Sequence, residues 1–298
     1  MAYAPMLRGV YIPIITPFAA DGSVALDAIE RLCHEYVDAG AAGIVALGTT
    51  GESTAVDADE RQAIIDACSR ACVERGAQLI VGAGTNNTRT TVTAVEALRD
   101  IAGLTATLIV VPYYVRPSQA GIVAHFRAVA AASPVPVVLY NIAIRTGRNL
   151  SAAGVIELAS DPNVVGIKQS AVGLDLDTLQ LLAGVPDDFA VLGGEDPFLF
   201  PLVLMGGTGA VCASAHVCTE RFVAMIECGL AGKLDDGRAH SKALLPVVES
   251  LFAEPNPAVF KAVLHAQGRI PTPDVRLPLM PASEVAAQRA LNAIAAAS

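Results

Sequence analysis

Short apolar runs recur about every 30 residues along the chain: GVYIPIIT (9–16), GIVAL (43–47), LIVGA (79–83), TLIVV (107–111), VPVVLY (135–140), VVGIK (164–168), FAVLG (189–193) and GAVCA (209–213). Val and Ile dominate them, without alternation of apolar and polar residues. A strand covered on both faces reads this way. The stretches between them have helical length and amphipathic spacing. DAIERLCHEYVDAG opens on an Asp cap and ends at Gly40, DADERQAIIDACSRACVERG ends at Gly76, and SAAGVIELASDP starts at Ser151 and is stopped by Pro162.

Eight strand–helix units predict an α/β fold, the closed (β/α)8 or TIM barrel. The rival is a doubly wound open sheet, which would have fewer strands and a glycine-rich first turn; the first turn here is TPFAADGS. The barrel is expected over residues 1–231. Residues 232–298 contain no strand-like run, and LDDGRAHSKALLPVVESLF, NPAVFKAVLHAQG and SEVAAQRALNAIAAA all read as helices, so a C-terminal helical appendage should follow.

Hydrophobic residues make up 53% of the 298 and charged residues 16%, which excludes a disordered chain. The net charge is −9 and no basic run occurs, so nothing offers a footprint for nucleic acid. The high hydrophobicity raises a membrane reading. The longest uncharged stretch, Pro197 to Thr219, is broken by two prolines and three glycines and reads as a short helix, a turn and a strand. The N-terminus makes a poor signal peptide, and a soluble cytoplasmic protein is expected. The six cysteines (33, 68, 72, 212, 218, 228) are irregularly spaced and form no CxxC, as reduced core residues would. Cys212, His216 and Cys218 fit no common zinc pattern, and the five histidines do not gather at strand ends, so no metal is expected.

In such barrels the chemistry lies at the C-terminal ends of the strands. The polar segments there are GTTGES (48–53), PYYVRP (112–117), YNIAIRTG (140–147), Lys168, GGEDP (193–197) and SAHV (214–217). Lys168 is the most informative. The chain has four lysines, and the other three (233, 242, 261) lie in the appendage. A strand-end lysine can simply reach solvent. Alternatively, an amine sheltered in a barrel mouth can present its neutral form to a carbonyl, which an arginine cannot do. GTTGES can hold a carboxylate through Thr49, Thr50 and nearby amides, or serve as a capping turn before the helix near Asp57. Tyr140 ends the strand before that of Lys168, where a phenol can relay protons or merely pack at the rim. Tyr113 and Tyr114 are consecutive and cannot both face one way. Arg145 can fork onto a substrate carboxylate or bridge to a neighbouring acid. No GxSxG elbow occurs, and GAGTNN (82–87) lacks the third glycine of a dinucleotide loop.

These stations, in this order, resemble the pyruvate-dependent class I aldolase family of dihydrodipicolinate synthase and N-acetylneuraminate lyase. The resemblance runs through PIITPF, GTTGES, GAGTNN, PYYVRPSQ, YNIAIRTG, VVGIKQS, GGED, GGTGAV and, in the appendage, NPAVFKAVL and VRLPL. It implies that Lys168 forms the Schiff base, that Thr49 and Thr50 sit near the pyruvate carboxylate, and that Tyr140 relays protons over the imine. Tyr114 then resembles the tyrosine lent across a dimer interface to complete a Thr–Tyr–Tyr relay. Gly194 and Val211 match positions whose backbone lines the pyruvate pocket, and Arg145 resembles the arginine that binds the carboxylate of aspartate semialdehyde. No cofactor is implied beyond the covalent imine, and family members are commonly homotetramers, dimers of dimers.

The Thr–Thr pair, the double tyrosine and Arg145 favour the synthase over the neuraminate lyase. The alternatives are a catabolic aldolase or dehydratase acting on a 2-oxo sugar acid, and a non-catalytic oxo-acid-binding relative. Four departures from the family pattern, Val115, Ala143, Gln169 and His216, are expected around the second-substrate region. Thr90, Ala58 and Arg61 stand where lysine-inhibited members have a glutamate and histidines, so weak or no lysine inhibition is expected.

Overall fold

Each apolar run becomes a strand because helices cover its outer face and the other strands cover its inner one. A computed structural model describes residues 7–297 of the chain. Its strands are β1 (Gly9–Pro13), β2 (Gly43–Ala46), β3 (Gln78–Gly82), β4 (Leu104–Val110), β5 (Val137–Asn141), β6 (Val164–Gln169), β7 (Ala190–Gly193) and β8 (Gly209–Val211). They pair in sequence order, all parallel, and β8 closes on β1. This is the TIM barrel expected from the eight runs.

The helices are α1 (Leu26–Asp38), α2 (Ala58–Arg75), α3 (Thr88–Glu96), α4 (Gln119–Ala132), α5 (Ala143–Thr146), α6 (Ala152–Leu158), α7 (Leu176–Gly184), α8 (Leu199–Leu204) and α9 (Thr219–Leu230). The segment beyond them carries α10 (Leu234–Leu251), α11 (Ala258–Ala266) and α12 (Glu284–Ala297). The expected boundaries survive where capping chemistry sets them. Asp57 accepts from the Glu60 amide in a full capping box, Ser151 accepts from the Gly154 amide, and Gly76 ends α2 at φ 65°. The Asp cap of the first helix does not hold. Asp27 lies in the first turn of α1, after Ala25, where its charge meets the positive end of the helix dipole.

Period-two alternation divides the buried residues into two sets. Tyr11, Val45, Ile80, Ala106, Leu108, Val138, Tyr140, Ala190, Leu192 and Val211 fill the barrel interior. Their neighbours, among them Ile12, Ile44, Leu79, Ile109, Leu139, Ile167 and Val191, point outward and pack under the helices. Cys33, Cys68 and Cys72 are buried in that outer layer, on α1 and α2, and all six cysteines are free. No helix of the described residues is long and apolar enough to cross a membrane.

Candidate active site

Register places the central pair. β5 and β6 align Tyr140 with Lys168, and both side chains belong to the inward-facing set at the C-terminal end of the barrel. Lys168 is only 6% exposed and Tyr140 5%. The Lys168 Nζ lies 4.3 Å from the centroid of the Tyr140 ring. That excludes the solvent-facing alternative for Lys168. The Tyr140 hydroxyl in turn lies 3.5 Å from Thr49 Oγ1, at the outer limit of a hydrogen bond.

Thr49 and Thr50 lie in a 3-10 turn, Thr49–Gly51, directly after β2. Thr49 faces the cavity at the barrel mouth. Thr50 is buried, and its Oγ1 accepts a hydrogen bond from Asn256 Nδ2 at 3.0 Å, which leaves its proton free to donate. The cavity encloses about 1080 Å³, and its walls include Thr49, Tyr113, Tyr114, Tyr140 and Arg145. Tyr114 is 87% exposed, with φ 71°, and makes no hydrogen bond to Thr49 or Tyr140 among the described residues, although all three line the cavity. Tyr113 is half-buried, so the two tyrosines face different ways. Arg145 sits on the exposed rim in the single turn of α5 and makes no ion pair among the described residues.

Gly194 stands against the lysine. A Cβ there would fall 2.8 Å from Lys168 Cε and 2.1 Å from Ser170 Oγ, closer than atoms pack, so the lysine takes its path only beside a glycine. Val211 is buried in the barrel interior with Tyr140.

Three residues of the site carry no role in the sequence reading. Ser170 lies two residues beyond Lys168, buried, with no hydrogen-bond partner for its hydroxyl among the described residues. The period-two step from Lys168 was the available signal for it. Glu195 has its carboxyl pushed up by burial and by the neighbouring Asp196, partly offset by the charges of Lys168 and Arg145. Asp196 is pushed up by burial and partly brought back by the Ser214 amide, which donates to it at 2.6 Å. GGEDP stands out in the sequence, but its spacing says nothing of these environments.

Two of the four departures lie away from the mouth. Gln169 follows Lys168 and therefore points out of the barrel: its Oε1 accepts from Asn141 Nδ2 and its Nε2 donates to Thr178 Oγ1 on α7. His216 is fully buried between the rings of Tyr36 and Phe260. Its Nε2 accepts from the Ile15 amide and its Nδ1 bonds the Ala213 carbonyl, so both ring nitrogens are occupied and neither is free for a metal. Burial pushes its pKa down to about 3. The expectation that Gln169 and His216 shape the second-substrate region is therefore corrected: they are packing residues. Val115 and Ala143 remain near the mouth, next to Tyr114 and Ile142.

The sequence pattern of the dihydrodipicolinate synthetase family matches residues 6–297. A 4-hydroxy-tetrahydrodipicolinate synthase of Moorella thermoacetica is 39% identical over 270 residues, 91% of each chain. The crystal structure of a chloride-inhibited dihydrodipicolinate synthase from Acinetobacter baumannii, complexed with pyruvate, superposes with a TM-score of 0.92 at 32% identity, covering 97% of this chain and 98% of that one. A dihydrodipicolinate synthase from Cyanidioschyzon merolae with lysine bound gives a TM-score of 0.93 at 33% identity, over 98% of both chains.

Proposed function

Because the chain belongs to the dihydrodipicolinate synthetase family, we propose that it is a Schiff-base-forming lyase, a 4-hydroxy-tetrahydrodipicolinate synthase that condenses pyruvate with aspartate semialdehyde. The observation that carries this reading is the buried amine of Lys168 lying 4.3 Å from the Tyr140 ring at the barrel mouth.

The chemistry follows from that placement. The neutral amine of Lys168 adds to the ketone of pyruvate, and loss of water gives an imine. Once protonated, the imine draws electrons from the adjacent methyl group, which loses a proton to become an enamine. The enamine carbon attacks the aldehyde carbon of the second substrate, a carbon–carbon bond forms, and the aldehyde oxygen takes up a proton. The amine of the semialdehyde then displaces Lys168 from the imine carbon, closing the ring and freeing the lysine. Tyr140 and Thr49, 3.5 Å apart, are the pair assigned to carry protons in and out. Thr49, Thr50 and the backbone beside Gly194 and Val211 are assigned to pyruvate, and Arg145, on the exposed rim, to the carboxylate of the semialdehyde.

The same reading makes the enzyme a homotetramer, a dimer of dimers, in which Tyr114 of one copy completes the relay of its neighbour. The support is a tyrosine left almost wholly in solvent in a left-handed backbone conformation, with Val115 and Ile144 adding exposed apolar surface close by. The catalytic unit is residues 1–231, with 232–298 as its helical extension. Six free cysteines suit the reducing cytoplasm.

Borohydride added with pyruvate should fix a pyruvate adduct on Lys168, read by peptide mass spectrometry. A coupled assay with pyruvate and aspartate semialdehyde, beside a panel of 2-oxo sugar acids, identifies the second substrate. An unmodified Lys168 would end the Schiff-base reading, and turnover of a sugar acid alone would reassign the substrate.

A further inference from the structure

We propose that the buried ion pair between Glu52 and Lys261 positions the Thr49–Thr50 turn, so that the helical segment beyond the barrel sets the enzyme's affinity for pyruvate. This inference rests on the role given above to the two threonines.

The turn is an unusual piece of backbone. Leu47 precedes it with φ 56° and Glu52 ends it with φ 50°, so two residues other than glycine hold left-handed conformations within six positions. Such conformations persist only where the surroundings over-determine them. One restraint comes from the barrel: Thr16 Oγ1 donates to the Gly51 carbonyl at 2.7 Å. The other three come from residues 256–276. Asn256 Nδ2 donates to Thr50 Oγ1 at 3.0 Å, Lys261 Nζ lies 2.5 Å from Glu52 Oε1, and the Arg276 amide donates to Glu52 Oε2 at 2.9 Å.

Lys261 is itself held on every side. It is fully buried on α11, donates to the Asp274 carbonyl at 2.7 Å and lies 4.0 Å over the Phe18 ring. Glu52 is equally enclosed. A buried ion pair is a poor device for stability alone, since an apolar pair of similar volume does as well or better. What it supplies here is direction. The carboxylate meets a fixed partner at each oxygen, the Lys261 ammonium as an ion pair at Oε1 and the Arg276 amide as a hydrogen-bond donor at Oε2, and so fixes the residue that caps the turn, three positions from Thr49. The Glu52 amide closes the link by donating to the Thr49 carbonyl at 3.1 Å.

The test compares Lys261→Met, Glu52→Gln and the Glu52→Gln/Lys261→Met double variant by thermal unfolding, steady-state kinetics and borohydride trapping with pyruvate. Either single change strands a charge in the core and should lower the melting temperature. The double variant carries no stranded charge, so its melting temperature should return close to that of the wild type. Its KM for pyruvate should nevertheless stay raised by about tenfold, with slower trapping at low pyruvate and an unchanged KM for the second substrate. A double variant that recovers both the melting temperature and the pyruvate KM would overturn the proposal and leave the pair a packing feature. So would folded single variants with wild-type pyruvate KM. If the wild type itself traps no pyruvate, the Schiff-base reading fails first and this inference goes with it.

Discussion

Gly194→Ala tests the site most directly, because the added methyl group meets the nucleophile itself. Its Cβ would stand 2.1 Å from Ser170 Oγ and 2.8 Å and 3.0 Å from Lys168 Cε and Cγ. Ordinary contacts need about 3.5 Å or more, so the shortfall is about 1.4 Å at Ser170 and about 0.5–0.7 Å at Lys168. Overpacking of this kind destabilises by about 1–3 kcal/mol. Both neighbours end in rotatable groups, so the fold should give way at the low end of that range. The chemistry has less latitude. A shift of about 0.7 Å in the lysine takes its amine off the ketone, and since a misplacement of about 1 Å costs on the order of a hundredfold, a loss of about tenfold or more in rate is expected. Stopped-time borohydride trapping with pyruvate would report imine formation separately from turnover, and urea unfolding would report stability. Adding Ser170→Ala removes the closer clash but leaves the one with Lys168. The double variant should therefore regain stability while trapping pyruvate as slowly as Gly194→Ala alone. Wild-type trapping in Gly194→Ala, or its recovery in the double variant, would refute the claim that this glycine makes room for the lysine.

Arg145→Ala should raise the KM for the second substrate by about tenfold or more and leave pyruvate trapping unchanged; unaltered kinetics would remove Arg145 from substrate binding. Lysine should inhibit weakly or not at all, since Arg61 and Thr90 line the cavity and a guanidinium there repels an ammonium; half-inhibition below about 1 mM lysine would contradict this. His125 is buried with its pKa pushed down to about 4, so the folded state resists its protonation. Its contribution to stability is complete above about pH 6.5 and falls by about 1.4 kcal/mol per pH unit as the pH drops toward 4. Relative to His125→Gln, the wild type should lose stability at that slope in urea titrations between pH 7 and 4, and parallel curves would show that the ring takes up its proton as readily in the fold as in the unfolded chain, refuting the burial effect.

The chain announces its architecture locally. Eight apolar runs spaced by amphipathic stretches need no tertiary information to be recognised, and neither do the capping box at Asp57 and the glycine at 76 that bound α2. The scarcity of lysine in the barrel likewise singles out Lys168 from composition alone. What these signals lack is sidedness. A strand buried on both faces carries no polar alternation, so nothing in VVGIKQS says which residues look inward. Closure of the barrel decides it, turning Lys168 and Ser170 toward the site and Gln169 toward α7. The same blindness extends to His216, which only the closed fold buries in the core. Asn256, Lys261 and Arg276 lie some two hundred residues beyond the GTTGES turn they grip, and no local periodicity records a contact of that range. Element type is written in short-range pattern because it depends on neighbours in sequence. The site depends on which face each strand buries and on what the last helices reach back to touch, and only the closed fold determines both.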